Sequence, residues 1–348
     1  MNTQEFLNTM NVVLSGVSKK DVSEAMGQIV FDGGYLISYN DKIAVSSSVD
    51  CPIDSCGVDA NDLLKAVKGI RTKEFEMTLE NDFLTLEGGK TTVTLPTMIS
   101  SEMRTFHEAI DIDGAILKMK RLPPDFIPAL VLCENSVSTN MSSSFGGYAM
   151  KFDSHTVSST DGYRASLYEL SKKIKTKNTF FISKEIVEHL IGFNPEKIFV
   201  SPSWIYFTDA KADTVIACRT SIDNTENFPD LSGIIVKGKR KAKFTIQRED
   251  TENLDMLSFF TDGDKDADKE IDMVLSKKKV TMSGSSIKGS ATIELPTDYK
   301  GEKIKFKVSS VFIQDIINSL GSVTFQLNDQ NIYIEKGGNY KHFINLVG

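Results

Sequence analysis

Residues 75–89 read FEMTLENDFLTLEGG, and residues 323–338 read VTFQLNDQNIYIEKGG. Both stretches end in Gly-Gly, and both follow a short amphipathic segment. A chain that writes one supersecondary unit more than once must bury the same faces each time, so this repetition constrains the fold more than any single motif. In the first copy Phe75, Met77 and Leu79 alternate as one face of a half-buried strand; in the last, Val323, Phe325 and Leu327 do the same. Leu84 and Leu86 match Ile332 and Ile334, with Lys336 inserted once in the last copy. The preceding segments, DANDLLKAVKGI and SSVFIQDIINSLG, carry the apolar pairs Leu63-Leu64 and Phe312-Ile313. Each pair is followed by apolar residues one turn later, which is the spacing of a helix.

A third copy lies between them. SKEIVEHLIGF sets Ile186-Val187 and Leu190-Ile191 in the same phase, and KIFVS, WIYFT and TVIAC follow it, so that Ile205 and Phe207 match Leu84 and Leu86. The front half of the unit repeats as well. Helices are expected near residues 4–15, 124–135 and 249–260, although Pro128 sits inside the second. Strand pairs then follow, such as YLISYN–DKIAVSSS from Tyr35 and EIDMVLSKKKVTMSG from Glu270. One unit is helix, several antiparallel strands, helix, three strands, about 115–125 residues in all. The expected class is α+β, with domains at 1–112, 113–236 and 237–348, joined through SSEMRTFHEAIDIDG and FPDLSGIIVKGKRK. A small antiparallel sheet with two helices on one face leaves unpaired backbone at both edges. Side-by-side repeats can pair those edges into continuous sheets, and closure into a ring removes the last ones. Two arcs joined head to tail close under two-fold symmetry. Three beads without closure is the other arrangement that repetition allows, while a trimeric ring of two-domain chains is disfavoured by the count of three.

Hydrophobic residues make up 40% of the 348, enough for packed cores. No apolar run approaches the ~20 residues of a membrane span. The N-terminus lacks the basic start and cleavage site of a signal peptide. A soluble cytoplasmic protein is therefore expected, on the nucleoid or in a host cytoplasm if a virus encodes it. The net charge of −7 argues against a protein that coats nucleic acid with its whole surface, but allows a locally basic one. Cys51, Cys56, Cys133 and Cys218 form no CxxC pair and read as reduced, mostly structural thiols. His107, His155, His189 and His342 are scattered, outside any nucleophile–base or metal spacing, so neither an enzyme nor a cofactor is expected. DGDKDADKE lacks the Gly and Glu of a calcium loop. EGGKTT would need Gly where Leu84 stands to make a phosphate loop.

Three stretches carry a resemblance: SSTDGYRASLYEL from Ser158, FPDLSGI from Phe228 and HFINLVG from His342. Thr160-Asp161-Gly162-Tyr163-Arg164, Phe228-Pro229-Asp230 and the threefold repeat together resemble the bacterial-type DNA sliding clamp, the beta-type processivity factor of replicative DNA polymerases, over the whole chain. The resemblance implies a homodimeric ring of six similar domains, with helices lining the hole and sheets outside. It implies no catalysis. Such a ring encircles double-stranded DNA of any sequence, tethers the DNA polymerase, and is opened by a clamp-loader ATPase. Partners would dock peptides in an apolar groove between the middle and last domains. Thr160, Gly162, Tyr163 and Arg164 match one wall of that groove, with Tyr163 where His is usual. Ile344 and Leu346 match the opposite wall. Asn345 stands where Pro is preferred, and Val347-Gly348 replaces a basic–apolar end, which leaves the peptide preference open. Phe259 and Phe260 correspond to the subunit interface.

Plainer readings stand beside these. Thr-Asp-Gly is commonly a turn with Gly supplying positive φ. Ile344 and Leu346 alternate, which also suits the core of the last sheet, and core burial suits one of Phe259 and Phe260. Phosphate contacts that permit sliding call for Lys and Arg around the hole. The candidates are Lys65, Arg71, Lys73, Lys118, Lys120, Arg121, Lys184 and Arg248. The position of Lys65 corresponds to Glu188 and Gln314 in the other copies, and KGKRKAK lies in a connector, where a solvated surface is the commoner reading. DNA affinity is therefore expected to be weak, with retention by enclosure. The alternative function class is a non-enzymatic, β-rich structural or assembly protein built from the same repeats, which leaves the TDGYR–FPD pairing unexplained.

Overall fold

The computed structural model describes residues 1–18, 24–98, 110–138, 147–176, 178–220, 225–233, 239–251 and 253–347. Four of its described helices begin behind a residue whose side chain occupies backbone N–H groups that a first turn leaves free. In α1 (Thr3–Val13) the Asn2 carboxamide oxygen accepts from the N–H of Gln4 and Glu5, at 3.0 and 3.1 Å. In α2 (Ala60–Gly69) Asp59 accepts from Asn61 and Asp62, both at 2.9 Å. A short α3 (Ile112–Ile116) starts behind Asp111. The helix α4 (Phe126–Glu134) carries Pro128 as its third residue. An N–H there would have had no partner inside the helix, so the proline removes no bond. Next come α5 (Lys184–Phe193), α6 (Leu254–Phe259) and α7 (Ser310–Leu320), the last ending on Gly321 with φ 74°. The helix expected over 249–260 is thus shorter than read. Arg248–Asp250 forms a 3-10 turn instead, and helix begins only at Leu254, the first residue of that stretch with an apolar face to bury.

The chain forms two compact units: Met1–Leu122 with Ile174–Thr176 and Glu185–Ser221, and Pro123–Lys173 with Lys177–Lys184 and Ile222–Gly348. In the first unit, an eight-stranded antiparallel sheet joins β1 (Gln28–Asp32), β2 (Tyr35–Tyr39), β3 (Ile43–Ser48) and β4 (Ser55–Asp59) to strands from much later in the chain. A second sheet there is the meander β5 (Glu76–Glu80), β6 (Phe83–Gly88) and β7 (Thr91–Pro96). The later strands are β8 (Lys120–Arg121), and, after the second unit's β9 (Ala149–Phe152), β10 (Thr156–Thr160), β11 (Arg164–Glu169) and β12 (Phe180–Ser183), the run β13 (Lys197–Val200), β14 (Trp204–Thr208) and β15 (Thr214–Arg219). The order across the first large sheet is β4-β1-β2-β3-β15-β14-β13-β8.

The second unit repeats this plan. Its remaining strands are β16 (Ala242–Ile246), β17 (Glu270–Ser276), β18 (Lys279–Ser286), β19 (Gly289–Pro296), β20 (Ile304–Ser309), β21 (Val323–Leu327), β22 (Asn331–Lys336) and β23 (Tyr340–Asn345). Its large sheet runs β12-β9-β10-β11-β23-β22-β21-β16, and a smaller one runs β19-β18-β17-β20. In both large sheets a third strand meets a last strand, β3 with β15 and β11 with β23, so edges that would otherwise stand open are paired.

Cores form on the helix side. Phe6 of α1 lies against Phe31 and Phe75, with ring centroids 6.5 and 5.6 Å away, and α1 also packs on α2. Phe152 stacks on Phe180 at 4.8 Å and meets Phe126 of α4 at 5.8 Å. The predicted strand faces are buried at Phe75, Met77, Leu84, Leu86, Ile205, Phe207, Val323, Phe325, Leu327, Ile332 and Ile334. Leu79 departs from the expectation: it is exposed, near the turn that ends the edge strand β5. The thiols of Cys133 and Cys218 are buried and pushed up by desolvation, and that of Cys56 is pushed up to about 12 for the same first reason. Among the described residues no helix is long and apolar enough to cross a membrane.

One polar group is sealed into the second core. His342 is fully buried where β23 meets β11, its Nδ1 2.8 Å from Ser166 Oγ and 3.2 Å from the Tyr340 hydroxyl. Burial first, and the nearby Arg164 guanidinium second, push its pKa from 6.5 down to about 3. Unfolded chains therefore bind a proton between pH 6.5 and 3 that the folded chain refuses, and stability falls as pH drops through that window, by up to about 1.4 kcal/mol per pH unit. Urea midpoints measured at pH 7 and pH 4.5 should show this loss, and His342→Gln should flatten it. An unaltered pH slope in the variant would remove His342 as its source.

Candidate functional site

The turn between β10 and β11 uses every residue of TDGYR. Thr160 Oγ1 donates to the Arg164 carbonyl at 2.8 Å and accepts from Gly162 N–H at 3.1 Å. The Asp161 carboxylate accepts from the N–H of Tyr163 and Arg164, at 2.9 and 2.8 Å. Gly162 sits at φ 91°, where a side chain would be strained. Arg164 is buried and doubly paired, its Nε 3.0 Å from Asp161 and its Nη1 2.6 Å from Asp315 on α7, with the guanidinium 4.1 Å above the Phe312 ring. Its charge is thus spent inside the protein, fastening the turn to a helix.

FPD packs against the same strands. Phe228 meets Phe181 edge-on at 5.7 Å, and Lys151 lies 6.0 Å from its ring centre. The Asp230 carboxylate accepts from the Ser232 hydroxyl and N–H at 2.7 and 3.0 Å, which hold it below the usual carboxylate range. Leu231 is buried on Ala165, beside Leu167, Tyr333 and Phe343. Between turn and connector opens a cavity of about 400 Å³, lined by Thr160, Gly162, Arg164, Ala165, Asn227, Pro229, Leu231, Phe343 and Asn345. Its surface is mostly carbon, with Arg164, Asn227 and Asn345 as the polar side chains beside Thr160. Such a cavity suits one or two apolar side chains of a short segment.

The structure brings Thr160, Gly162 and Arg164 to this cavity. Tyr163 stands beside it, 46% exposed, its carbonyl accepting from Asn345 N–H at 2.9 Å. Ile344 does not reach it. That side chain is fully buried on the opposite face of β23, and Leu346 lines a different cavity of about 360 Å³ with Ile304, Phe306 and Leu327. The wall read at Ile344 and Leu346 is instead made by Phe343 and Asn345. HFIN has apolar residues in both parities, so alternation cannot decide which face is outward. Only the pairing of Phe343 with Ala165, and of Ala165 with Thr160, decides it, and pairing is not written in either strand alone.

The basic candidates are separated. Lys65 projects from α2, with Arg71 and Lys73 exposed just beyond it. Lys118 follows α3, its ammonium 5.5 Å from the Phe199 ring, on the face of the large sheet away from α1 and α2. Lys120 and Arg121 form the edge strand β8, Lys184 opens α5, and Arg248 lies in the 3-10 turn. The exposed residues of α1 are Gln4, Glu5, Asn8 and Asn11, three neutral amides and one carboxylate. Phe259 is 60% exposed, edge-on to the half-buried Phe260 at 5.0 Å and with Lys288 5.4 Å from its ring.

Neither a protein-family model nor a curated protein matches this sequence. Solved structures do match it. The DNA polymerase III beta subunit of Borrelia burgdorferi superposes with a TM-score of 0.83 at 16% identity. Those of Thermotoga maritima and Pseudomonas aeruginosa give 0.81 at 15% and 0.80 at 13%. Each comparison covers 100% of this chain and 98% of the other. The chain has the sliding-clamp fold.

On this clamp fold Arg164 fastens the TDGYR turn, while Tyr163 beside it stands exposed. Arg164→Ala strands two carboxylates, one of them a third exposed, and should lower unfolding free energy by about 2–3 kcal/mol. Tyr163→Ala should stay within about 0.5 kcal/mol. Denaturant titrations of the two variants check this, and equal losses would contradict the assigned role of Arg164.

Proposed function

We propose that this protein is a DNA sliding clamp: two copies close into a ring around duplex DNA and tether the replicative polymerase, with domains at 1–112, 113–236 and 237–348. The ring performs no chemistry and needs no cofactor. A loader ATPase opens it, and it works in the cytoplasm, where DNA is copied. Polymerase and other partners dock peptides at the cavity beside Thr160, Gly162 and Arg164.

The observation that carries this reading is the pair of edges the chain leaves over. Last strands meet third strands inside each unit, and the remaining last strand is β7, the remaining third strand β19. Their sequences, TTVTLPT and ATIELPT, are near copies. Register follows from the internal seams. Val93 faces Leu86 as Ile216 faces Phe207 and His342 faces Ile334. Ala291 faces Gly284 as Val45 faces Ser38 and Ser166 faces Ser159, and Gly284, Ser38 and Ser159 each lie against the end of the helix that opens their domain. Since Ile216 pairs with Val45 and His342 with Ser166, Val93 of one copy should pair with Ala291 of the next. Large apolar side chains stand exposed near both edges: Phe83 by the first, and Met256, Phe259 and Ile287 by the second. A heterologous seam of this kind makes a ring if its rotation closes.

For the DNA-facing surface, Lys65, Arg71 and Lys73 join the amides of α1, which bond phosphates without holding them tightly. Affinity for linear DNA should be low and its salt dependence shallow.

The test is a Val93→Cys, Ala291→Cys chain. Oxidation should give a covalent circle of two subunits, while either single variant, or the off-register pair Val93→Cys with Leu295→Cys, should not. Cross-linked in the presence of nicked circular DNA, part of the protein should resist a high-salt wash and leave when the DNA is linearised. Retention after linearisation, or complete loss from circles, would sink the proposal.

A further inference from the structure

The two large sheets end differently on the side where a domain begins. In the second unit the edge strand β16 lies along all five residues of β21, and Lys241 N–H extends the ladder to the Leu327 carbonyl at 2.8 Å. In the first unit the edge strand β8 has two residues and covers half of β13. The cause lies just before it. Ile110, Ile112 and Ala115 are buried on the outward face of the sheet. The chain returns from that face to the edge through bonds from Lys118 N–H to the Ala115 carbonyl and from Met119 N–H to that of Ile116, at 2.9 and 3.3 Å. Lys120 faces Ile198 as Phe244 faces Phe325, so Leu117 stands where Lys241 does. Its N–H turns instead to the Asp113 carbonyl, and its side chain is 86% exposed.

The edge so formed combines free backbone, apolar surface and unspent positive charge. Leu122 N–H bonds the Glu196 carbonyl at 2.8 Å and Lys120 pairs with Ile198, so the backbone of those two residues turns to β13 and that of Arg121 turns away. Beside it Met119 and Phe199 are half-buried, and the Lys118 ammonium lies 5.5 Å from the Phe199 ring centre. Among the described residues, the ion pairs include none of Lys118, Lys120 and Arg121. Cations on an edge deter neutral and basic strands. They do not deter an acidic one, and a leucine this exposed beside them adds nothing to a deterrent. The edge at β5 carries Glu76 and Glu80, the opposite sign. We propose that the edge at β8 takes an acidic, extended segment of a partner protein. The segment adds a strand to β8, sets carboxylates on Lys118 and Arg121, and lays one aliphatic side chain over Leu117 and Phe199. This site uses cations that the DNA-facing surface leaves over, and it holds whether or not the chain closes around a duplex.

A fluorescent heptapeptide, EVELEVE, is titrated with the full-length protein, with KVKLKVK as the control of opposite charge. Saturable binding of the acidic peptide alone is expected. Lys118→Glu with Arg121→Glu should weaken it about ten-fold or more, and Leu117→Ser about three- to ten-fold. Unfolding midpoints should stay near that of the unaltered chain, because all three side chains are exposed. Methylation of alternate backbone nitrogens in the peptide should abolish binding, since it removes the donors of an added strand and keeps the side chains. Absence of saturable binding by EVELEVE overturns the proposal. So does equal binding of the methylated peptide, of KVKLKVK, or of EVELEVE to the charge-reversed variant. A second copy of this chain, through its acidic β5, is the other occupant. A mass in solution that climbs with concentration beyond two chains, and falls back in the charge-reversed variant, would assign the edge to self-assembly and overturn the partner-protein reading.

Discussion

Backbone pairing between distant stretches is the constraint on which the rest depends. A four-strand or three-strand meander exposes a row of N–H and C=O groups at each side, and each such row either pairs or invites an unwanted partner. Here β3 finds β15 and β11 finds β23. Those two seams turn small sheets into large ones, fix which side chains face the helices, and set a row of outward residues in line. Phe6, Phe152 and Phe244 can then be buried from one side only. The outward rows are left for connectors to cover.

Coverage of those rows is where function enters. The residues of the TDGYR turn are consumed by their own neighbours: hydroxyl to carbonyl, carboxylate to N–H, guanidinium to two carboxylates and a ring. They make a rigid rim and not a reactive centre. What remains available is the carbon-lined space between that rim and Leu231. The same physics explains why two motifs some 65 residues apart in sequence occur together: one is the wall and the other the lid support of a single hollow.

Helices and strands were largely legible in the sequence, because caps and periodicity are local. Asp59 and Ser309 sit where N-caps should, and Leu84, Leu86, Ile332 and Ile334 are buried as their alternation required. The misreadings share one cause. Phe343 and Ile344 differ only in which face they take, and that is fixed by the partner strand, a long-range fact. The helix at 249–260 was read too long because REDTEN is compatible with helix yet has nothing to bury. Lys118 and Lys65 looked alike as exposed cations, but the sheet between them separates their faces.

The near identity of the edge strands β7 and β19 has a mechanical consequence. If they join as proposed, a closed pair contains two equal seams, each only a few residues long and independent of the buried aromatic cores. Parting one seam leaves the other as a hinge, so the assembly opens like a bracelet with one clasp released. Its dwell time on a duplex would then be set by the side chains of a single short ladder, and could be lengthened or shortened by evolution there without disturbing the folding of either half.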